Sequence, residues 1–326
     1  MALSCPDCAQ PVTAEDRFCE NCGLSLMRRR TAEGGPLRTP RGSCASCGGT
    51  VDAEGFCEQC GRAQPAPRDL MEFDLGFAAG VSDRGQVRVR NEDSLGCAIL
   101  GPRDAPTAVV VIVCDGVGST ERADQASQTA VDAALARIVD CLEAGKDPYE
   151  STVDGSAAAF EAVRLLAEPG SPDLAPSCTL VSAVATDEGI TVGWIGDSRA
   201  YWLSADGSRQ LTVDDTLHAQ LVAAGMTVEE ASAEANAHAL ARWVGADAEP
   251  VLPQVAGVPA GERGTLIVCS DGLWNYLPAA ETIAAQAKGS PAEMAAKLTA
   301  AANELGGGDN ITVVAVPYPF DRQGTP

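Results

Sequence analysis

The stretch CTLVSAVATDEGITVGWIGDSRAYWLSADGSRQLT (178–212) decides the fold. Its apolar, β-branched runs are punctuated by Asp, Gly and Ser, so it reads as successive strands joined by tight turns. No helix-length segment separates those strands, so the chain is not built on strict βαβ alternation. Outward from there, TAVVVIVCDG (107–116) and GTLIVCSDG (264–272) read as buried strands ending in Asp-Gly. FDLGFAAGVSD (73–83) reads as one opening strand and DNITVVAVPY (309–318) as the closing one. Helical periodicity marks 127–145 and 155–168, residues 279–304 carry two Ala-rich helices, and 214–235 is helical or irregular. The predicted class is α+β with antiparallel sheets.

The remaining chain is of another kind. Eight cysteines fall in the first 60 residues as four CxxC pairs: Cys5/Cys8, Cys19/Cys22, Cys44/Cys47 and Cys57/Cys60. The order CPDC…FCENCG then CASCG…FCEQCG is a tandem repeat. Four thiolates per repeat suit tetrahedral Zn²⁺, and a unit this small needs the metal to fold. Gly23, Gly48 and Gly61 each follow a CxxC pair, where a knuckle turn calls for positive φ. Two structural zinc ions are expected, and redox chemistry at four tandem pairs is not. The divisions read as ribbon 1 (1–27), linker (28–43), ribbon 2 (44–62), linker (63–72) and a main domain (73–320). The first linker, with Arg28–Arg30, lacks an apolar period and reads as flexible and solvated.

The net charge of -22 is unevenly spread. Residues 1–68 balance eight Lys/Arg against eight Asp/Glu, while the rest carries fifteen against thirty-seven. Such a surface repels nucleic acid and anionic membranes, and neither is an expected partner. No apolar run reaches a membrane-spanning length, and the start lacks a signal-peptide pattern, so a cytoplasmic setting is expected. Aromatic residues make up only 4% of the chain, so the core must rest on Val, Ala, Leu and Ile.

Three acidic turns sit at strand ends: Asp115-Gly116, Asp271-Gly272 and Asp309-Asn310. One such Asp is usually a turn residue; three bordering apolar strands place carboxylates together at one end of a sheet, where hard oxygen ligands suit Mg²⁺ or Mn²⁺. SDRGQVRVRNEDS (82–94) adds Arg88, suited to bidentate phosphate binding, beside Glu92 and Asp93.

In order along the chain, SDRGQVRVRNED, VCDGVGS, SCTLVSAV, GWIGDSRAY, VCSDGLWNYL and GDNITVV resemble the metal-dependent protein phosphatases of the 2C type. That resemblance implies an α-β-β-α sandwich and hydrolysis of phosphoserine and phosphothreonine by a metal-activated water. It makes Arg88 the phosphate-binding arginine and Glu92 and Asp93 an acidic pair near the metals. It makes Asp115 the carboxylate that bridges two Mn²⁺ or Mg²⁺ ions, the Gly116 carbonyl a ligand, and Asp271 and Asp309 the remaining carboxylate ligands. Val117 stands where many eukaryotic members have His, and Ser119 where a second Gly is common. A third ion is not expected, because Leu174 occupies the matching place with Asp173 one residue away. No protein nucleophile is needed, so Cys114 and Cys269 read as core. Asp197 and Arg199 of GDSR read as hairpin structure, His218 and His238 as non-ligands, and Arg242 as a substrate contact or a helix-surface residue within a flap over 215–248. The implied partners are Ser/Thr-phosphorylated proteins opposing a Ser/Thr kinase, with the ribbons as a docking or regulatory module. The competing readings are a catalytically silent scaffold binding a phosphoprotein and a zinc-ribbon nucleic-acid binder.

Overall fold

The computed structural model describes residues 3–4, 8, 10–13, 16–23, 26–37, 43–44, 47–52, 55–62, 64–167 and 175–320. The chain begins with a short ribbon hairpin, β1 (Leu3–Ser4) and β2 (Pro11–Val12), and then β3 (Arg28–Arg30). The main domain opens with β4 (Leu70–Asp74), β5 (Ala79–Asp83), β6 (Ser94–Leu100) and β7 (Ala108–Cys114). Helices α1 (Ala123–Glu143) and α2 (Pro148–Arg164) follow, then β8 (Ser177–Cys178), β9 (Leu180–Thr186), β10 (Gly189–Ile195), β11 (Arg199–Ser204) and β12 (Arg209–Gln210). Two short helices, α3 (Leu217–Ala223) and α4 (Val228–Ala233), lead to β13 (Val244–Gly245), β14 (Gln254–Pro259) and β15 (Gly264–Cys269). The chain ends through α5 (Asp271–Trp274), α6 (Ala280–Gln286), α7 (Pro291–Glu304) and β16 (Ile311–Tyr318).

These strands form two six-stranded antiparallel sheets, ordered β14-β10-β9-β7-β6-β3 and β12-β11-β15-β16-β5-β4. The reason lies in period 2. Along β7, Val109, Val111 and Val113 join a core between the sheets, while Val110, Ile112 and Cys114 join a second core that includes α1 and α2. Along β15, Leu266 and Val268 face the first core, whereas Ile267 and Cys269 join a third with α5, α6 and α7. Both faces are buried, so these strands read as unbroken apolar runs rather than alternating ones. Four layers result, the α-β-β-α sandwich implied by the resemblance, and Cys114 and Cys269 are core residues as expected. Among the described residues, no helix is long and apolar enough to cross a membrane.

Two expectations are corrected. FDLGFAAGVSD is not one strand: the chain reverses between β4 and β5, with Gly76 at φ 85° and its N–H donating to Asp74 Oδ1 at 2.8 Å. Nor is the first linker free. Arg28–Arg30 pairs with Ala98–Leu100 as the edge strand of the first sheet. Arg28 pairs with Glu143 and Asp140 on α1, Arg29 lies over the Phe77 ring, and Gly34 N–H donates to Asp132. Leu37 bridges to Met71. Side-chain pairing to α1, rather than an apolar period, seats this segment.

Candidate metal centre and thiolate sites

Antiparallel register brings the acidic turns to one end of the sandwich. Ser94 at the start of β6 faces Cys114 at the end of β7. Cys269, at the end of β15, faces Val313, and Ile311 faces Asp83. Hence the residues after β7 and β15 and before β6 and β16 share one rim. They line a cleft of about 150 Å³ bordered by Arg88, Glu92, Asp115, Gly116, Asp197, Asp271 and Asp309, with Val117, Gly118, Thr179 and Leu240.

Backbone contacts hold the rim. Asn310 donates to the Arg84 and Arg90 carbonyls at 2.8 and 3.0 Å and accepts from Glu92 N–H at 2.8 Å, which staples the Arg88 loop to the start of β16. Asp115 N–H donates to Thr179 Oγ1 at 3.0 Å, and Thr179 shares a 2.7 Å hydrogen bond with Ser198. Gly116 has no room for a side chain: a Cβ would stand 2.6 Å from the Ala123 carbonyl and 2.7 Å from that of Glu92. Arg88 is ion-paired to Asp309 at 2.5 Å, and that carboxylate raises its affinity for its proton.

The carboxylates are under electrostatic pressure. Asp93 is fully buried; its Oδ2 accepts from Ser270 and Thr312 at 2.7 Å each, while Oδ1 has no partner among the described residues. Asp271 Oδ1 is likewise buried without one. Burial pushes Asp93 up to about 7 and Asp271 to about 6. Asp115 is raised well above the carboxylate range by burial and by the neighbouring aspartates, and burial raises Glu92. A low-dielectric cleft lined by Glu92, Asp115, Asp197, Asp271 and Asp309 fits divalent cations, whose charge removes the repulsion and whose coordination would satisfy Asp271 Oδ1, while Asp93 lies outside the lining.

The sign of the pH effect follows. Asp93 and Asp271 keep protons in the folded chain that the unfolded chain releases near pH 4. Their contribution to stability is therefore full below that value and is lost as pH rises through 6 to 7. Without added Mn²⁺ or Mg²⁺, the melting temperature should fall by several degrees between pH 5 and 8, and Asp93→Asn should flatten that slope. A melting temperature with the same slope in both proteins would refute the assignment.

Reasoning from sequence missed Asp197, which borders the cleft and is pushed to about 7 by burial. Its GDSR context suggested only a turn. Arg199 is structural as read: it pairs with Asp214 at 2.6 Å and stacks on Trp274 at 3.8 Å. Asn310, Ser270 and Thr312 were also missed, although Asn310 follows Asp309 directly. Arg242 is neither on a helix nor free, since it pairs with Asp215 at 3.3 Å and donates to the Leu252 carbonyl. His218 and His238 stack at 6.3 Å outside the cleft, while Leu240 from the same segment borders it. Leu174 and Asp173 lie outside the described residues, as does Cys5.

In the second ribbon, Cys44, Cys47, Cys57 and Cys60 bring four sulfurs within 4.8 Å of one another, as Cys8, Cys19 and Cys22 do with three in the first. Sγ–Sγ distances of 3.5 Å (Cys8–Cys19, Cys47–Cys57) and 3.7 Å (Cys44–Cys60) lie close to the tetrahedral edge of about 3.8 Å that a Zn–S bond of about 2.3 Å requires. Gly23, Gly48 and Gly61 have φ of 75°, 76° and 68°, the turn expected of a knuckle.

Both parts of the chain are similar to known proteins. The family described as Protein phosphatase 2C matches residues 86–303, and the Double zinc ribbon family matches residues 5–61. The serine/threonine phosphatase stp of Listeria innocua is 32% identical over 249 residues, spanning 74% of this chain and 96% of that protein. The crystal structure of the serine/threonine phosphatase PstP/Ppp of Mycobacterium tuberculosis superposes with a TM-score of 0.61 at 31% identity, over 74% of this chain and 97% of that one. A PstP catalytic domain solved in complex with two manganese ions has a TM-score of 0.58 at 31% identity, over 74% of this chain and 96% of that one.

Proposed function

We propose, from the premise that this chain belongs to the protein phosphatase 2C family, that it is a protein serine/threonine phosphatase whose cleft holds two Mn²⁺ or Mg²⁺ ions on Asp115, Asp271, Asp309, Glu92, Asp93 and the Gly116 carbonyl. The carrying observation is the buried carboxylate cluster with unpartnered oxygens on Asp93 and Asp271. The two manganese ions of the similar PstP domain support the ion count. Bound divalent cations supply a water of lowered proton affinity and neutralise phosphate charge. Arg88 offers a guanidinium fork to the phosphate oxygens, and Asp309 orients it from the cleft wall. Val117 supplies no proton at its position, so the leaving serine or threonine oxygen takes its proton from solvent. Cys114 and Cys269 are buried, and burial raises both thiols far from reactivity, so neither serves as a nucleophile.

The substrates are Ser/Thr-phosphorylated proteins made by an opposing Ser/Thr kinase, met in the cytoplasm. The eight CxxC cysteines, Cys5 included, hold two structural zinc ions, and the ribbons dock the phosphoprotein. One assay tests enzyme and ribbons together. The full chain should release phosphate from a phosphothreonine peptide only with Mn²⁺ or Mg²⁺. A Cys19→Ser/Cys22→Ser chain should keep the peptide rate and lose several-fold on a phosphoprotein. Peptide binding without phosphate release would turn the assignment into a silent scaffold; equal loss on both substrates would make the ribbons part of the enzyme's fold. Removing residues 1–68 is a poor test, since it also removes β3 and Arg68.

A further inference from the structure

Arg68 lies between the second ribbon and β4, outside the residues matched to the phosphatase family. Its guanidinium reaches behind the acidic rim. Nε donates to the Asn91 carbonyl at 2.9 Å, and Nη2 to the Asp93 carbonyl at 2.8 Å and to Ser94 Oγ at 2.6 Å. Nη2 also meets the Asp124 carbonyl at 3.1 Å and Ser127 Oγ at 3.3 Å, while Nη1 donates to Gln128 Oε1 at 3.1 Å. Between the Asn91 and Asp93 carbonyls stands that of Glu92, which accepts from Ser127 Oγ at 2.5 Å. Three successive carbonyls are thus held, two by Arg68 and the middle one by Ser127 of α1 and by the Gly116 N–H at 3.2 Å. Asn91 closes the arrangement by donating to the Arg68 carbonyl at 3.1 Å and to Ser82 Oγ at 2.9 Å.

We propose that Arg68 is a positioning residue for the metal centre: its fork fixes the backbone of the Glu92–Asp93 turn against the start of α1, so that both carboxylates are aimed before a cation arrives. The inference rests on the cation reading of the cleft. The physical argument is preorganisation. A turn whose carbonyls are pinned keeps its Cα–Cβ directions fixed, so its carboxylates search fewer positions and lose less freedom on coordination. Arg68 is also the cation set behind that turn, attracted to Asp124, Asp93, Asp132 and Glu92, so it offsets carboxylate repulsion there. Lysine keeps the charge but cannot span carbonyls on both flanks of Glu92.

The test is calorimetric titration of Mn²⁺ into the zinc-loaded full chain, beside steady-state kinetics. Arg68→Lys should weaken Mn²⁺ binding by about 10- to 100-fold, leave KM for a phosphothreonine peptide unchanged, and recover most of kcat at saturating Mn²⁺. Ser127→Ala, a milder change to the same carbonyl set, should move Mn²⁺ affinity in the same direction by less. Arg28→Ala, which releases a different clasp on α1, should lower the melting temperature without moving that affinity. Wild-type affinity in Arg68→Lys and Ser127→Ala, with only melting lowered, overturns the proposal and leaves the cation reading intact. Wild-type protein that takes up no Mn²⁺ at the cleft overturns both.

Discussion

Asp115→Ala should reduce Mn²⁺-dependent phosphate release by on the order of 10³-fold or more while leaving the fold in place. Removing one preorganised partner of the developing charge already costs about 10²- to 10³-fold in other hydrolases, and Asp115 is proposed to serve two ions at once. The side chain sits on the β7 rim of the cleft, and its backbone is held independently by Thr179, so its loss does not dismantle β7. Burial raises the affinity of Asp115 for a proton, and repulsion from Asp93, Asp271, Asp197 and Asp309 adds to it. The cation-free Asp115→Ala protein should therefore melt at or above the wild-type temperature at pH 8, while losing the stabilisation that Mn²⁺ confers. Activity assays with scanning calorimetry check both arms. An active Asp115→Ala enzyme would remove this residue from the centre, and a strongly lowered melting temperature would make its role structural.

Gly272→Ala should strongly destabilise the rim. Its Cβ would stand 2.0 Å from the Asn310 carbonyl oxygen and 2.8 Å from its carbon. Both obstacles are backbone, so no rotamer change relieves them. The strained contact joins the start of α5, which carries Asp271, to the turn that carries Asp309. Separating those segments breaks the carboxylate set and loosens Asn310, which pins the Arg88 loop. A loss of about 3 kcal/mol or more, with at least a hundredfold loss of activity, is expected. Denaturant melts read the first and phosphate release the second. Wild-type values for both would mean that the rim relaxes freely and that the close approach has no consequence.

The strands were legible because two buried faces make an unbroken apolar run, as in β7 and β15, and an Asp-Gly pair marks the end of each. The carboxylate set was legible because each member borders such a run. Other features carried no such signal. Arg28–Arg30 is an edge strand with three cations, and its partners Asp140 and Glu143 lie more than a hundred residues away. The β4–β5 turn was hidden because Asp74 and Gly76 are set inside a run of apolar residues. Asp197 looked like its neighbour Arg199, and only tertiary placement separates a cleft carboxylate from a structural guanidinium. Arg68 has the flanking sequence of a linker, and its partners are carbonyl and side-chain oxygens contributed by distant segments.

The seat of β3 changes what the ribbons can do for a bound substrate. A flexible spacer would let a captured phosphoprotein sample a broad volume and dilute its phosphoryl group around the cleft. With Arg28–Arg30 paired into the first sheet, the free length of chain between the cleft and a partner docked as proposed is shorter. A shorter tether favours phosphosites within its reach of the docking epitope over distant ones, so selectivity among sites would depend on reach as well as on local sequence.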